Sequence, residues 1–458
     1  MDTVEKVEEE VKEAADKVVE VVKDPMSLIR KPKRAFGRFM RILGPGIITG
    51  AADDDPSGIA TYSQTGAKFG YGQLWTAFWM LPFMISIQEA CARIGASTGK
   101  GLAAIVKEKY SRTTLYFVVF LVVAANTINI SADIAAISAA TYLIFPIPMA
   151  VLAILFTLII LVLEVFVPYK KYVKILKWLT LSLLAYPVTM FMVSQPWGEI
   201  AAKSFIPNIQ LNFEFLFIIT GVLGTTISPY MFFWQTSQEI EEEKTHHLIA
   251  KDGKPNIDME YIKDIRKDTI FGMVWSNFTT WTIIIVGATV LNANGITNID
   301  TAADAAKALE PLVQTFPNAG MLAKIIFAVG IFGLGVLAIP VLAGSASYAM
   351  SEAFGWKEGL NLKLKQAYGF YGVIIGSTVI GMIINLIGID PVKTLIFAAV
   401  VNGVVAVPLI YYIAKIARDE KVMGKYRSGW LSNTFVWLTF VAMGLAALAM
   451  FYTLILGS

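Results

Sequence analysis

The sequence predicts an all-α polytopic membrane protein built from two inverted repeats, and three observations carry that expectation. Of 458 residues, 56% are apolar and only 16% charged, where a soluble domain carries about a quarter charged; the mean hydropathy is +0.61. Eleven apolar runs approach the ~20 residues needed to cross a hydrocarbon core of about 30 Å. Two of them, the first and the sixth, are interrupted by glycine and proline at matching positions of two five-span sets. Together these exclude a soluble enzyme, a secreted disulfide scaffold and a nucleic-acid-binding domain. Cys91 is the single cysteine, and His246 and His247 are the only histidines, so no disulfide and no Cys- or His-rich metal site is expected. The net charge of +3 implies no acidic partner.

Residues 1–42 read as a cytoplasmic leader without the apolar core of a signal peptide. Val4, Val7, Val11, Val18 and Val22 recur at helical spacing between Glu and Lys, which predicts an amphipathic helix over 4–22. Arg30, Lys31, Lys33, Arg34, Arg38 and Arg41 then form a basic collar of the kind that lies beside a membrane. Residues 43–458 form the transmembrane domain. Its spans are placed at 43–70, 72–94, 114–142, 149–167 and 173–194 (repeat one, 43–194), and at 213–238, 270–291, 321–350, 368–388 and 393–414 (repeat two, 213–414). An extra span covers 432–455. All are helices, because an isolated span must satisfy its own backbone hydrogen bonds. Of the 38 Lys and Arg, only Lys68, Lys203, Lys307, Lys324 and Lys393 fall on the side opposite the N-terminus. The positive-inside rule then puts the N-terminus in the cytoplasm and, with an odd span count, the C-terminus outside the plasma (inner) membrane.

Span 1 reads Gly44-Pro45-Gly46, then Asp53-Asp54-Asp55-Pro56-Ser57-Gly58. A charged residue at mid-bilayer costs about 2.5–3.5 kcal/mol on translocon scales. Pro56 removes a backbone donor and clashes with the preceding turn, so the helix is expected to break at the carboxylates. Span 6 carries Gly221, Gly224 and Thr225-Thr226-Ile227-Ser228-Pro229-Tyr230, where Pro229 frees a carbonyl near Thr225 and Thr226 for a ligand. Broken helices at matching positions of two halves point to a transporter binding site. Successive helical residues stand about 100° apart, so the three aspartates cannot share one point. Asp55 at the break is the best direct ligand. Asp54 shares a face with Gly58 and acts directly or through water, while Asp53 is as easily structural as functional.

Gly44-Pro45-Gly46 through Asp55-Pro56-Ser57-Gly58 to Phe69-Gly70-Tyr71 resembles the first helix of the Nramp divalent-metal transporter family, which carries Gly-Pro-Gly and then Asp-Pro-Gly-Asn. Arg93-Ile94-Gly95 with Thr98-Gly99 and Leu102-Ala103 resembles its second helix, Ala132-Asp133-Ile134-Ala135 its third, Asn277 its seventh and Leu342-Ala343-Gly344 its eighth. The resemblance covers about 43–415. It implies a LeuT-type fold and a divalent cation as cargo.

The departures are specific. The family's Asn position holds Gly58. Its sixth-helix Ala and Met-Pro-His are Thr225 and Ser228-Pro229-Tyr230, and Asp53 and Asp54 stand where the family has uncharged residues. A thioether favours softer transition metals; its loss leaves an all-oxygen set, Asp54, Asp55, Thr225 and Ser228, as the implied metal ligands. Such a site suits Mg²⁺, which binds through one or two carboxylates and keeps several waters, with Mn²⁺ also admitted. In these replacements the chain is similar to the divergent Nramp-related magnesium transporters. The family's proton relay is thinned as well: Asp133 remains, but the following Glu is Ala136, span 9 has no Arg and the sixth-helix His is Tyr230. The expectation is therefore an uncoupled Mg²⁺ importer working by alternating access, with the lipid bilayer as its surroundings and no resident cofactor or obligate protein partner. The alternative is a proton-coupled Mn²⁺/Fe²⁺ transporter. A sodium-coupled amino-acid transporter needs an uncharged break, and an intramembrane aspartyl protease needs a Gly-x-Gly-Asp context that Asp55 and Asp133 lack; a channel stays open. Among other polar residues, Glu89 either lines a vestibule or pairs with a neighbour, Asn402 is expected in a helix–helix hydrogen bond, and Gln235 and Thr236 continue an aqueous path. Glu164 and Glu352 are expected at the interface and the His246-His247 pair in a solvated loop.

Overall fold

The computed structural model describes residues 45–167, 180–250 and 255–456, and the predicted amphipathic helix over 4–22 and basic collar over 30–41 lie outside them. Among the described residues the fold is helical throughout, with one isolated bridge between Ile249 and Pro255. Span 1 is two helices, Pro45–Asp53 and Pro56–Phe69, and span 6 is likewise two, Phe213–Thr226 and Pro229–Thr245. Span 2 is Trp75–Thr98, span 3 Arg112–Tyr142, span 4 Met149–Phe166 and span 7 Met259–Val286. Spans 8 to 11 are Ala319–Phe354, Tyr368–Asn385, Pro391–Ile416 and Trp430–Leu456. Of span 5 the described part is 180–192.

Among the described residues, eight helices are long and apolar enough to cross a membrane, and they are spans 3, 4 and 6 to 11. Span 1 carries three aspartates, and Gln88, Glu89 and Arg93 lower the hydropathy of span 2. Spans 7 and 8 run longer than the apolar runs that announced them, because their helices continue past the apolar stretch into polar turns such as Met259–Asp268. Local chemistry starts the spans where expected. Ser111, Asn212, Asp258 and Asp390 each accept a backbone N–H three residues on, at 2.8–3.1 Å, as N-caps.

The bundle is apolar outside and carries polar side chains within its apolar core. Phe120, Leu158, Ile380, Leu445 and Leu448 face outward, whereas Asn126, Asn129 and Asn402 are buried. Asn129 donates to Asn402 at 2.7 Å, which is the expected helix–helix bond. Glu89 pairs with Arg93 in its own helix and accepts from Ser432. His246 is exposed and contacts Glu242. Glu164 and Glu352 differ from the interfacial reading, since both are buried. Glu352 accepts from the backbone of Ala104 at 3.1 Å, near the start of a short helix, Leu102–Lys109, that apolar patterning did not reveal.

Two close approaches set the frame around the breaks. The first half of span 1 lies on span 7, where a Cβ on Gly50 would stand 2.4 Å from the Gly272 carbonyl oxygen. The first half of span 6 lies on span 10, where a Cβ on Gly224 would stand 2.1 Å from the Ala399 carbonyl oxygen. At the end of span 1 remote from Pro45, Gln64 grips the segment leading to span 8. Its Nε2 donates to Thr297 O at 3.3 Å and its Oε1 accepts from Ile299 N at 2.8 Å. Ile299, Phe327, Val392 and Leu395 then enclose an apolar cavity with Pro56 and Ala136.

Gly224→Val is expected to push spans 6 and 10 apart at a cost of at least about 1–3 kcal/mol, seen as a lower Tm of the detergent-solubilised protein. Gly376→Val, where a Cβ meets nothing within 4 Å, is expected to leave Tm unchanged.

Candidate functional site

Asp53 closes the first helix of span 1, and Asp54 and Asp55 are non-helical. Asp55 is extended (φ −70°, ψ 172°) and caps the second helix. Its Oδ1 accepts from Ser57 Oγ at 2.6 Å and from Gly58 N at 2.8 Å. Pro56 is thus the first residue of a new helix, where its missing N–H costs nothing. The break comes from capping, not from the proline clash that the sequence suggested. In span 6, Ile227 (φ −122°, ψ 64°) and Ser228 (φ −79°, ψ 135°) leave the helix, and Pro229 again opens the next one.

The two breaks face each other and are stitched together. Tyr230 Oη donates to Ala52 O at 3.1 Å, Tyr62 Oη lies 2.8 Å from Thr226 Oγ1, and Ser57 Oγ lies 3.3 Å from Thr225 Oγ1. Of the four expected ligands, Asp55 and Thr225 are therefore joined through Ser57. Ser228 Oγ donates back to Gly224 O at 2.9 Å and Thr225 O at 2.8 Å. That occupies its proton and the Thr225 carbonyl that the proline was expected to free. Asp54 turns the other way, toward Ser276 of span 7 at 3.4 Å, and Asp53 accepts from the same hydroxyl at 2.7 Å. Gln235 contacts Thr49 and donates to Glu239 at 2.8 Å, and Thr236 is bonded back into its own helix at 2.7 Å.

Asp53, Asp54, Asp55 and Asp133 are 0–1% exposed. Asp53 Oδ1, Asp54 Oδ2, Asp55 Oδ2 and both oxygens of Asp133 have no hydrogen-bond partner. Asp133 lies within electrostatic reach of Asp55, and Tyr230 within reach of both. No three His, Cys, Asp or Glu side chains among the described residues converge on one point as a metal-holding group. Asp53 and Asp54 share the Ser276 hydroxyl, while Asp55 is held by Ser57 and Gly58. An uncompensated buried carboxylate costs several kcal/mol, and a partly hydrated dication offsets that cost through one or two carboxylates and its own waters. Ser57, Ser276 and Tyr62 were not singled out from the sequence. The one sequence signal for Ser276 is its position on the Asp268, Gly272, Ser276 face of span 7. A wide cavity between Tyr71, Glu199, Lys203, Thr289 and Asn292 contains none of the four carboxylates.

Asp55→Asn keeps a capping acceptor, since Asn and Asp cap equally well, and removes the charge. Metal uptake in proteoliposomes is expected to fall at least about tenfold, the loss of one charge-assisted contact, with Tm in metal-free buffer unchanged or raised.

The geometry has counterparts among known proteins. The sequence profile of the Nramp family, "Natural resistance-associated macrophage protein-like", matches residues 46–453. The divalent metal cation transporter MntH of Klebsiella pneumoniae is 26% identical over 398 residues, covering 84% of this chain and 87% of that protein. MntH of Ralstonia nicotianae is 24% identical over 435 residues, covering 92% of each. The crystal structure of a manganese transporter from Eremococcus coleocola superposes with a TM-score of 0.71 at 16% identity, over 90% of this chain and 86% of that one. Mhp1, a nucleobase-cation-symport-1 family transporter in a closed conformation, superposes with a TM-score of 0.54 at 13% identity, over 90% and 92%. These two structural likenesses concern the fold, which is the LeuT-type arrangement with broken helices 1 and 6. With the profile spanning nearly all of the described bundle, the chain belongs to the Nramp family.

Proposed function

We propose that this Nramp-family chain imports Mg²⁺, and admits Mn²⁺, by alternating access without proton coupling, with its N-terminus cytoplasmic and its C-terminus outside the plasma membrane. Family membership makes it an integral-membrane transporter of divalent metal cations and not an enzyme. The observation that carries the choice of ion is the donor set at the breaks. Asp53, Asp54 and Asp55 are met by the hydroxyls of Ser57 and Ser276, with Thr225 beyond Ser57. Met231, the nearest thioether in sequence, belongs to the apolar cluster of Ala52, Ile134, Ile137 and Leu342. Oxygen donors and few direct carboxylate contacts fit a small cation that dehydrates reluctantly. Asp55, Thr225 and Ser228 are the cargo ligands assigned at the breaks, Ser228 through a lone pair, whereas Asp54, expected with them from the sequence, faces Ser276 instead.

The absence of coupling is supported by what surrounds Asp133. Its carboxylate has no hydrogen-bond partner, residue 136 is alanine and span 9 carries no arginine to receive a proton. Without a relay the membrane potential drives uptake. Two charges crossing 100 mV gain about 4.6 kcal/mol at ~2.3 per charge, enough for accumulation on the order of 10³-fold. The manganese transporter among the structural relatives favours a second reading, proton-coupled Mn²⁺/Fe²⁺ import.

Reconstituted protein under a negative-inside potassium diffusion potential is expected to take up Mg²⁺, with Mn²⁺ competing and the lumenal pH constant. Acidification that tracks metal entry would establish the coupled reading, and a preference for Cd²⁺ or Fe²⁺ over Mg²⁺ would overturn the hard-ion assignment.

A further inference from the structure

The three consecutive aspartates do not serve one point. Asp55 is directed to Ser57, Thr225 and Asp133, between spans 6 and 3. Asp53 and Asp54 converge on one hydroxyl, Ser276 Oγ, at 2.7 Å and 3.4 Å on the span 7 side. Each keeps one carboxylate oxygen without a partner, and no basic side chain is among the charges acting on either. One turn along span 7 from Ser276, Thr280 Oγ1 is fully buried and also lacks a partner. The Tyr62 hydroxyl, held by Thr226 at 2.8 Å, lies close to Thr280 and within electrostatic reach of both carboxylates. Two buried acids sharing a hydroxyl, with a further buried hydroxyl one turn along the same helix, form a cradle that supplies oxygen ligands and no positive charge.

We propose that Asp53, Asp54 and Ser276, with Tyr62 and Thr280, form a second cation station, separate from the Asp55 station and open to the same class of ion, a hard, hydrated dication. The inference rests on the cargo reading above, and it assigns Asp53 a ligand role. Each station has one or two carboxylates, so the ion keeps several of its waters at both. Passage from one to the other requires only that it exchange one aspartate for its chain neighbour. Two dications this close repel strongly, so the stations are filled in turn and each is visible on its own when the other is removed.

The test uses full-length protein in nanodiscs, with Mn²⁺ as probe read by equilibrium dialysis and electron paramagnetic resonance, and Mg²⁺ as competitor. Asp55→Asn is expected to retain one Mn²⁺ per chain, displaced by Mg²⁺, and Asp53→Asn added to it is expected to abolish that binding. Ser276→Ala in the Asp55→Asn background, a milder change that keeps both carboxylates, is expected to weaken the retained ion about tenfold; it decides the matter if the double aspartate variant fails to fold by thermal unfolding. Complete loss of Mn²⁺ in Asp55→Asn alone, or binding there that is indifferent to both Asp53→Asn and Ser276→Ala, would show that Asp53 and Asp54 hold no ion and overturn the second station. Wild-type protein that binds neither Mn²⁺ nor Mg²⁺ would overturn the cargo reading and the second station with it.

Discussion

Four carboxylates without a countercharge, enclosed in a bundle of apolar helices, are the constraint around which this structure is arranged. Carboxylates in such surroundings are stabilised by hydrogen bonds to the ionised form, by aligned peptide dipoles, or by a cation. The breaks supply the first two. Each places the end of one helix against the beginning of another, so carbonyl-rich and N–H-rich termini meet at one level of the bundle. The helix beginning at Pro56 presents its positive end to Asp55, which caps it. The helices ending at Asp53 and Thr226 present their negative ends nearby, where a cation is favoured. Among the described residues, one oxygen on each of the three aspartates and two on Asp133 are left without a hydrogen-bond partner.

The surrounding helices hold this arrangement by backbone proximity. Glycine at 50 faces glycine at 272, and glycine at 224 meets the backbone at 399 and 403, so the broken helices lie against unbroken ones at separations that no side chain allows. Large apolar side chains are displaced to the outer surface of spans 3, 4, 9 and 11, where lipid covers them. In a bilayer there is little hydrophobic gain from helix association, and close packing with interhelical hydrogen bonds takes its place. The Asn129–Asn402 and Asn126–Ser345 contacts are of that kind.

Much of this was legible in the sequence, because a break in a membrane helix needs residues that are conspicuous there. Gly-Pro-Gly, three aspartates and Ser-Pro cannot sit unnoticed in an apolar run, and both breaks fall at those residues. The mechanism of the break was less visible. An aspartate before a proline reads equally as a cap and as a kink, and only the Asp55 hydrogen bonds distinguish them. A helical angle between neighbours set Asp54 with Asp55 and apart from Asp53, whereas Asp55 has left the helix and Asp54 turns with Asp53 toward Ser276. Ser276 and Tyr62 were illegible, since a hydroxyl in a membrane helix is common and its meaning depends on which helix lies opposite. Glu352 was misread for a related reason: its partner is the backbone of a short helix distant in sequence.

Gln64 links two events that could otherwise be separate. One side chain both donates to and accepts from the backbone that carries Ile299 over the apolar cavity. A lift of that segment alone would strand a peptide N–H and an amide oxygen where little water can reach them. A tilt of the second helix of span 1 alone would do the same. The linkage therefore acts as a tie rod, favouring joint over separate displacement of the helix and its cover by about 1 kcal/mol for each bond.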